Sequence, residues 1–228
     1  SGGAEEYFNQ PFLNAKNQFA LAHNGNLPDC SKLIEFLKSR RLSTKNLNDT
    51  RMMEKAIACH MQDGLSLDQA IKEAYPLFTG VFSAVAMDKD SLVAFRDECG
   101  VRPLAIGVLK EGSYVVASET CALDTVGASY VRDVEPGEMV VINKDGITSH
   151  QLADGRLKLD IFEFVYFARP DSELLGQRVN SVRERFGHEM AKEFPIKADV
   201  VIPVPDSSIP AALGYARESG IPFEMGLI

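Results

Sequence analysis

Apolar residues recur at helical spacing in the first third of the chain. Leu33 and Leu37 fall on one face of a segment over 29–40, where Asp29 is a suitable N-cap. The same spacing continues over 52–61 and again over 66–75, just before a proline. The pattern therefore predicts three short helices, with Asp49 or Thr50 capping the second and Ser66 the third.

From residue 81 the pattern changes to short apolar runs separated by turn residues, which predict strands. The run over 81–87 is almost wholly apolar, so both of its faces are expected to be covered. The short connections between runs favour antiparallel pairing, and flanking helices favour a layered α/β sandwich. The predicted strands are 81–87, 91–96, 104–109, 113–118, 138–143 and 147–150.

A strand–turn–helix rhythm replaces the hairpins near residue 159, and it is typical of a parallel α/β unit. We therefore predict two domains, 1–158 and 159–228, the second being only the beginning of its fold. The predicted elements of the second domain are an apolar strand at 161–168, a helix at 179–193, a buried strand at 199–204 and a helix ending at 217.

Composition narrows the class of protein. The 228 residues are 45% hydrophobic and 25% charged, which excludes intrinsic disorder. No apolar run approaches the roughly 18 residues of a membrane helix, and a net charge of −8 argues against a nucleic-acid surface. The cysteines have neither CxxC nor zinc-site spacing, so we predict a reduced, cytoplasmic protein without a metal site in this chain; they are Cys30, Cys59, Cys99 and Cys121.

Asn24 and Gly25 form the first candidate site. A side-chain amide beside a glycine N–H offers two donors, which an oxyanion hole requires. The alternative is a plain Asn-Gly turn after the apolar run at 19–22, and turns of this kind are common. Asp49 likewise either caps a helix or binds a substrate ammonium group.

Other polar clusters also have two interpretations. Arg96 and Asp97 either belong to a site or, as we favour, pair to pin a hairpin. Ser207 and Ser208 follow a predicted strand, where they either bind phosphate or cap a helix. The four histidines lie in different predicted elements, and no catalytic triad can be inferred from them.

Two motifs carry a family resemblance. AHNGNL at 22–27 is similar to class II glutamine amidotransferases, and FARPDS at 167–172 narrows the resemblance to the glutamine phosphoribosylpyrophosphate amidotransferases. The likeness covers nearly the whole chain in the same order. It extends over 10–12, 94–104, 117–124, 132–138 and 199–208.

The resemblance implies an N-terminal-nucleophile hydrolase αββα sandwich, truncated at its N-terminus, followed by the start of a type I phosphoribosyltransferase domain. Ammonia released from glutamine would be added to phosphoribosyl pyrophosphate, forming 5-phosphoribosylamine for purine synthesis. Asn24 and the Gly25 N–H would form the oxyanion hole, Asp49 would bind the glutamine ammonium, and residues 118–119 would lie in the sheet below. The expected domain-junction residues are Tyr166, Arg169, Asp171 and Ser172.

The resemblance also implies parts that this chain is expected to lack. The family nucleophile is an N-terminal cysteine, expected upstream of Ser1, so the chain would be an inactive internal fragment. The magnesium ligands of the complete enzyme are expected beyond Ile228. An iron–sulfur cluster is not expected, because Asp160 replaces one ligand cysteine.

Purine nucleotides would be feedback inhibitors and the enzyme a homo-oligomer, with no nucleic-acid or membrane partner. Two alternatives stay open. One is another class II glutamine amidotransferase, and the other is a non-catalytic regulatory module of the same fold.

Overall fold

The computed structural model describes residues 9–228, which divide into two compact units. Unit 1 comprises the chain up to Ser118 together with Val131–Lys158. Unit 2 comprises Glu119–Tyr130 and Leu159–Ile228. One division thus follows Lys158, and residues 119–130 group with unit 2 although the sequence pattern placed them in the first domain.

All three helices predicted for unit 1 are present. The Ser66 hydroxyl and the Gln69 side chain form a capping box at the start of the third. Asn48, rather than Asp49 or Thr50, caps the second, because its side chain accepts the Arg51 N–H at 2.9 Å. The helices are α1 (Ser31–Ser39), α2 (Asp49–Gln62) and α3 (Leu67–Ala74).

Among the described residues, nine strands form a larger antiparallel sheet and a smaller sheet. The larger has the order β1-β2-β3-β4-β8-β9 and the smaller has the order β6-β5-β7. The apolar runs between turn residues predicted six of these strands, and they missed β1, β2 and β7. The strands are β1 (Phe12–Asn14), β2 (Phe19–Asp29), β3 (Thr79–Met87), β4 (Ser91–Arg96), β5 (Ala105–Val108), β6 (Tyr114–Ala117), β7 (Ser129–Asp133), β8 (Glu138–Asn143) and β9 (Gly146–Gln151).

The turn predicted at Asn24-Gly25 is wrong, because β2 continues through both residues to Asp29. Asn24 lies opposite Ser83 and Gly25 lies opposite Phe82 of β3. Pairing along the whole of β3 outweighs the local turn preference of the Asn-Gly pair.

Two hydrophobic cores give unit 1 three layers. The first core joins the helices to one face of the larger sheet and includes Leu33, Ile57 and Phe82. The second lies between the two sheets and includes Ala94 and Ile106. One helical layer and both sheets of the predicted sandwich are therefore present, and β2 contributes Leu21 and Leu27 to the first core.

Unit 2 is mainly helical. The helix predicted over 179–193 has those bounds, whereas residues 118–119, expected in a sheet, lie outside any strand, and Glu119 precedes a short helix. The elements are α4 (Thr120–Thr125), a π-helix (Glu163–Phe167), β10 (Glu173–Leu174), β11 (Gln177–Arg178), α5 (Val179–Glu193) and α6 (Ile209–Ser219).

The strand predicted over 161–168 is wrong, since this run forms the π-helix. Asp160 Oδ1 accepts the Phe162 N–H at 3.0 Å and starts the turn. The buried Arg183 guanidinium donates to the carbonyls of Phe164 and Ala168 at 2.6 and 2.8 Å. An apolar run of this length fits a helix or a strand, and these polar contacts favour the helix.

The buried strand predicted over 199–204 is also wrong for the described chain. Only Val201 makes a bridge, which is parallel to Phe223, and Val204 is 68% exposed. A strand forms when neighbouring strands pair with it and is buried when other layers cover its faces, and this segment has a single bridged position within residues 9–228.

Candidate active site

The backbone of Gly25 has a direction that the strand register determines. Opposite it, Phe82 donates its N–H to Asp97 Oδ2 at 2.9 Å and accepts the Asp97 N–H at 3.0 Å. The polar backbone groups of Phe82 therefore point toward Asp97, away from β2, and the Gly25–Phe82 pair is of the non-hydrogen-bonded type. The Gly25 N–H consequently points away from β3.

The neighbours of Gly25 on β2 agree with this direction. The Gln10 side-chain amide bonds the backbone N–H and carbonyl of His23, continuing the β1–β2 register. Two residues beyond Gly25, the Leu27 N–H donates to Asp49 Oδ2 at 3.2 Å. Because alternate residues of a strand point their backbone groups to the same side, the Gly25 N–H lies between these two contacts.

Glycine is required at position 25 for two reasons. Its φ of +151° lies outside the range that other residues readily adopt. A Cβ built on it would also lie 2.1 Å from the Val81 carbonyl oxygen. The sequence identified the residue, and the register explains why its close approach to β3 excludes a side chain.

Asn24 is exposed, and its amide is oriented by Arg102. Its Oδ1 accepts from Arg102 Nη2 at 3.3 Å, and the Ser83 hydroxyl opposite Asn24 donates to the Arg102 carbonyl at 2.6 Å. With Oδ1 directed to a cation, the Nδ2 hydrogens face away from Arg102. The sequence did not predict this role of Arg102.

Asp49 is the first residue of α2, where the positive end of the helix favours a carboxylate. Oδ1 accepts the Thr50 N–H at 2.8 Å, and Oδ2 accepts the Leu27 N–H. Since Asn48 caps the helix, Asp49 is not the cap. A carboxylate has about four acceptor positions, so Asp49 keeps capacity for an ammonium group.

His23 supports this region from the buried side. Its Nδ1 lies 3.0 Å from Thr50 Oγ1, and its ring packs edge-on to Phe82. Burial lowers the pKa of His23, and the Asp49 carboxylate opposes that shift only in part. The imidazole is therefore neutral at pH 7. Its apolar surroundings are not evident from the AHNGNL motif.

Arg96 and Asp97 pin the β4–β5 connection, but not by pairing with each other. Arg96 donates to the carbonyls of Val134 and Gly100, and burial lowers the pKa of its guanidinium. Asp97 accepts the N–H groups of Phe82 and Cys99. The favoured structural interpretation stands, with backbone hydrogen bonds in place of the predicted ion pair.

The four predicted junction residues lie in unit 2 in two different settings. Tyr166 is exposed on the π-helix, and Arg169 and Asp171 form an exposed bidentate ion pair at 2.8–3.0 Å. Ser172 is fully buried and donates to Glu119 Oε2 at 2.7 Å. Their role at a junction stays a prediction. Glu119, which was expected in the sheet below the oxyanion hole, also accepts the Arg169 N–H.

The remaining candidates form no site in the described chain. Ser208 bonds back to the Val204 carbonyl and does not cap α6 with its side chain. Burial raises the pKa of the Cys30 and Cys59 thiols, which makes both poor nucleophiles at pH 7. Within residues 9–228 no three metal-binding side chains lie together. No helix in that range is long and apolar enough to cross a membrane. Ser1, upstream of which the resemblance places the nucleophile, lies outside the described residues.

Comparisons with known proteins agree with the motifs. A curated amidophosphoribosyltransferase from Synechocystis is 45% identical over 213 residues, covering 92% of this chain and 43% of the relative. That of Bacillus subtilis is 39% identical over 230 residues, covering 100% of this chain and 48% of the relative. The chain thus spans less than half the length of these relatives.

A solved structure supports the fold. The glutamine phosphoribosylpyrophosphate amidotransferase from B. subtilis complexed with ADP and GMP has a TM-score of 0.87 at 41% identity, covering 96% of this chain and 48% of that one. The predicted fold class and family resemblance are therefore confirmed. The sequence-family model described as a glutamine amidotransferase domain matches residues 4–125 of the 228. The chain therefore belongs to the glutamine amidotransferase family.

Proposed function

We propose that the protein containing this chain is an amidophosphoribosyltransferase. It releases ammonia from glutamine and adds it to phosphoribosyl pyrophosphate, forming 5-phosphoribosylamine in purine synthesis. The observation that carries the proposal is the direction of the Gly25 N–H, away from β3 and between the contacts of Gln10 and Asp49. The names of the relatives favour this enzyme over other class II amidotransferases.

The residues of unit 1 have separate tasks in this proposal. The Gly25 N–H and the Asn24 Nδ2 donate to the oxygen of the glutamine side-chain amide as it becomes a tetrahedral oxyanion. Arg102 keeps the Asn24 amide in the donating orientation. Asp49 accepts from the glutamine α-ammonium. The nucleophile is a cysteine other than the four in this chain.

Several finer expectations belong to the same proposal. Purine nucleotides act as feedback inhibitors, which is supported by the ADP and GMP bound in the B. subtilis structure. Magnesium serves the transferase half through ligands outside this chain. An iron–sulfur cluster is not expected. The enzyme is a cytoplasmic homo-oligomer, and Tyr166 to Ser172 line the passage of ammonia.

The proposal is tested on the full-length gene product by measuring consumption of phosphoribosyl pyrophosphate with either glutamine or ammonia as nitrogen donor. We expect Asp49→Asn to raise the KM for glutamine about tenfold or more, since a charge-assisted contact is lost. The rate with ammonia should not change, because Asp49 would contact only glutamine.

Asp145→Asn, in the β8–β9 turn, removes the same charge from an exposed position and should leave both reactions unchanged. Consumption with ammonia but never with glutamine would favour a non-catalytic amidotransferase unit. Glutamine hydrolysis without any use of phosphoribosyl pyrophosphate would favour another class II enzyme.

A further inference from the structure

Unit 1 has a cavity of about 420 Å³ on its helical side, separate from Asn24, Gly25 and Asp49. The β1–β2 turn, the end of α1 and one face of α2 form its walls. Small-molecule sites in proteins occupy about 300–1,000 Å³, so its size is appropriate for a ligand. Its polar lining residues are Asn14, Lys16, Arg40, Lys55, Gln62 and Asp63.

The lining is strongly cationic for an acidic protein. Three cations and one carboxylate face the cavity, whereas the whole chain carries a net charge of −8. The single carboxylate, Asp63, is neutralised by Arg40 through two hydrogen bonds of 2.9 and 2.5 Å. Two lysine charges therefore remain, which attract an anion into the cavity.

The nearest carboxylate behind the cavity is also engaged. Glu54 is buried, accepts from Asn14 Nδ2 at 2.5 Å and lies 3.6 Å from Arg51. Lys16 and Lys55 have no carboxylate within ion-pair distance among residues 9–228. Lys55 is also half-buried, so part of its hydration is lost without a compensating ion pair.

The walls of the cavity are tied together before any ligand arrives. Asn14 holds the β1–β2 turn to α2 through Glu54, and its Oδ1 also accepts the Asn17 N–H at 2.9 Å. Gln62 adds a longer contact of 3.4 Å to Asn17. The Arg40–Asp63 pair holds α1 to α2. Such preorganisation reduces the entropy lost on binding.

We propose that this cavity binds a phosphate group, either inorganic phosphate or the phosphate of a small phosphomonoester. Lys16 and Lys55 approach it from the turn and from α2 and supply the charge. The Gln62 amide supplies a neutral donor. The Cys59 thiol is a small apolar part of the wall, since burial raises its pKa and keeps it protonated. The proposal does not depend on the function proposed above.

The test is to titrate the full chain at low salt with inorganic phosphate, glucose 6-phosphate and glucose. Calorimetry and amide NMR shifts measure the binding. Both phosphates should bind at one saturable site with a Kd below about 1 mM, and glucose should not bind. Tighter binding of glucose 6-phosphate would identify a phosphomonoester as the ligand, and equal binding would identify phosphate itself.

Lys55→Gln should weaken phosphate binding about tenfold, because one charge-assisted contact is lost. Lys16→Gln, at an exposed position, tests the same site without touching the packing of α2. Lys110→Gln, in the β5–β6 turn, is the matched control and should bind as the parent does. Absence of saturable phosphate binding, or equal loss in the Lys110 variant, would overturn the proposal.

Discussion

Unit 1 and unit 2 contain similar apolar runs, which are buried in unit 1 and exposed in unit 2. In unit 1, Phe82 on β3 and Phe95 on β4 are at most 1% exposed, because they lie within a paired sheet and the helical layer packs against that face. In unit 2, Val200 and Val204 are 41% and 68% exposed along a segment with one bridge. An apolar strand segment is therefore buried where it joins a sheet whose face another layer covers.

The two units also use glycine differently. In unit 1, Gly25 allows two strands to pair closely beside the candidate oxyanion hole. In unit 2, Gly187 of α5 and Gly214 of α6 allow two helices to touch, since a Cβ on either would lie within 2.0 Å of a carbonyl oxygen of the other helix. Backbone approach is limiting in both units, but only in unit 1 does it lie beside a candidate site.

The largest effect is expected from Gly25→Ala. The added Cβ combines a strained backbone with overlap on the Val81 carbonyl, and we expect a loss of about 4 kcal/mol in the free energy of unfolding of unit 1. Hydrogen exchange followed by mass spectrometry measures each unit separately, and protection of unit 2 helices should persist.

Gly146→Ala is the matched control, because Gly146 has a φ of +116° but no neighbour within 4 Å of its Cβ position. Gly146→Ala has the backbone strain without the steric overlap, and it should lower the free energy of unfolding of unit 1 by about 1 kcal/mol. Similar losses in the two variants would show that strand contact does not restrict position 25.

A smaller effect is expected from Gly214→Ala in unit 2. The Cβ would lie 2.0 Å from the Glu184 carbonyl oxygen and force α5 and α6 apart, at a cost of about 3 kcal/mol. Loss of exchange protection should be confined to α5 and α6. Gly220→Ala, after the end of α6 and facing open space, should cost about 1 kcal/mol. Loss of protection in β2 and β3 would contradict the separation into two units.

The smallest effect concerns the acid stability of unit 1. Burial tends to raise the pKa of Glu138, but hydrogen bonds from Arg132 and the Glu135 N–H outweigh it and lower the pKa. The folded pKa lies below the unfolded value, so the stabilisation is present above about pH 4.3 and is lost as pH falls through the folded pKa.

Arg132→Gln should therefore cost about 1–2 kcal/mol at pH 7 and flatten the fall in stability between about pH 5 and pH 3, measured by urea unfolding. Arg169→Gln breaks an exposed ion pair in unit 2. It should change neither the stability of unit 1 at pH 7 nor the fall of that stability with pH. If the free energy of unfolding fell equally steeply with pH in the parent and in the Arg132 variant, the Arg132–Glu138 pair would be excluded as the cause of that fall.

Local pattern predicted the elements that local physics determines. The helices α1 to α3 and α5 were predicted because an amphipathic helix has one apolar face, whatever it packs against. Strands β4 and β8 were predicted with their observed bounds because turn residues delimit them on both sides. The AHNGNL motif likewise identified Asn24 and Gly25, and the comparisons confirmed the family to which it belongs.

Contacts between distant segments decided the rest. Whether Asn24 and Gly25 turn or extend depends on β3, nearly sixty residues further along the chain, and whether 161–168 is a strand or a π-helix depends on Arg183. The direction of the Gly25 N–H and the orientation of the Asn24 amide depend on Phe82 and Arg102. A sequence carries the preferences of each segment, whereas pairing and hydrogen bonding in the tertiary structure select among them because their energies exceed those preferences.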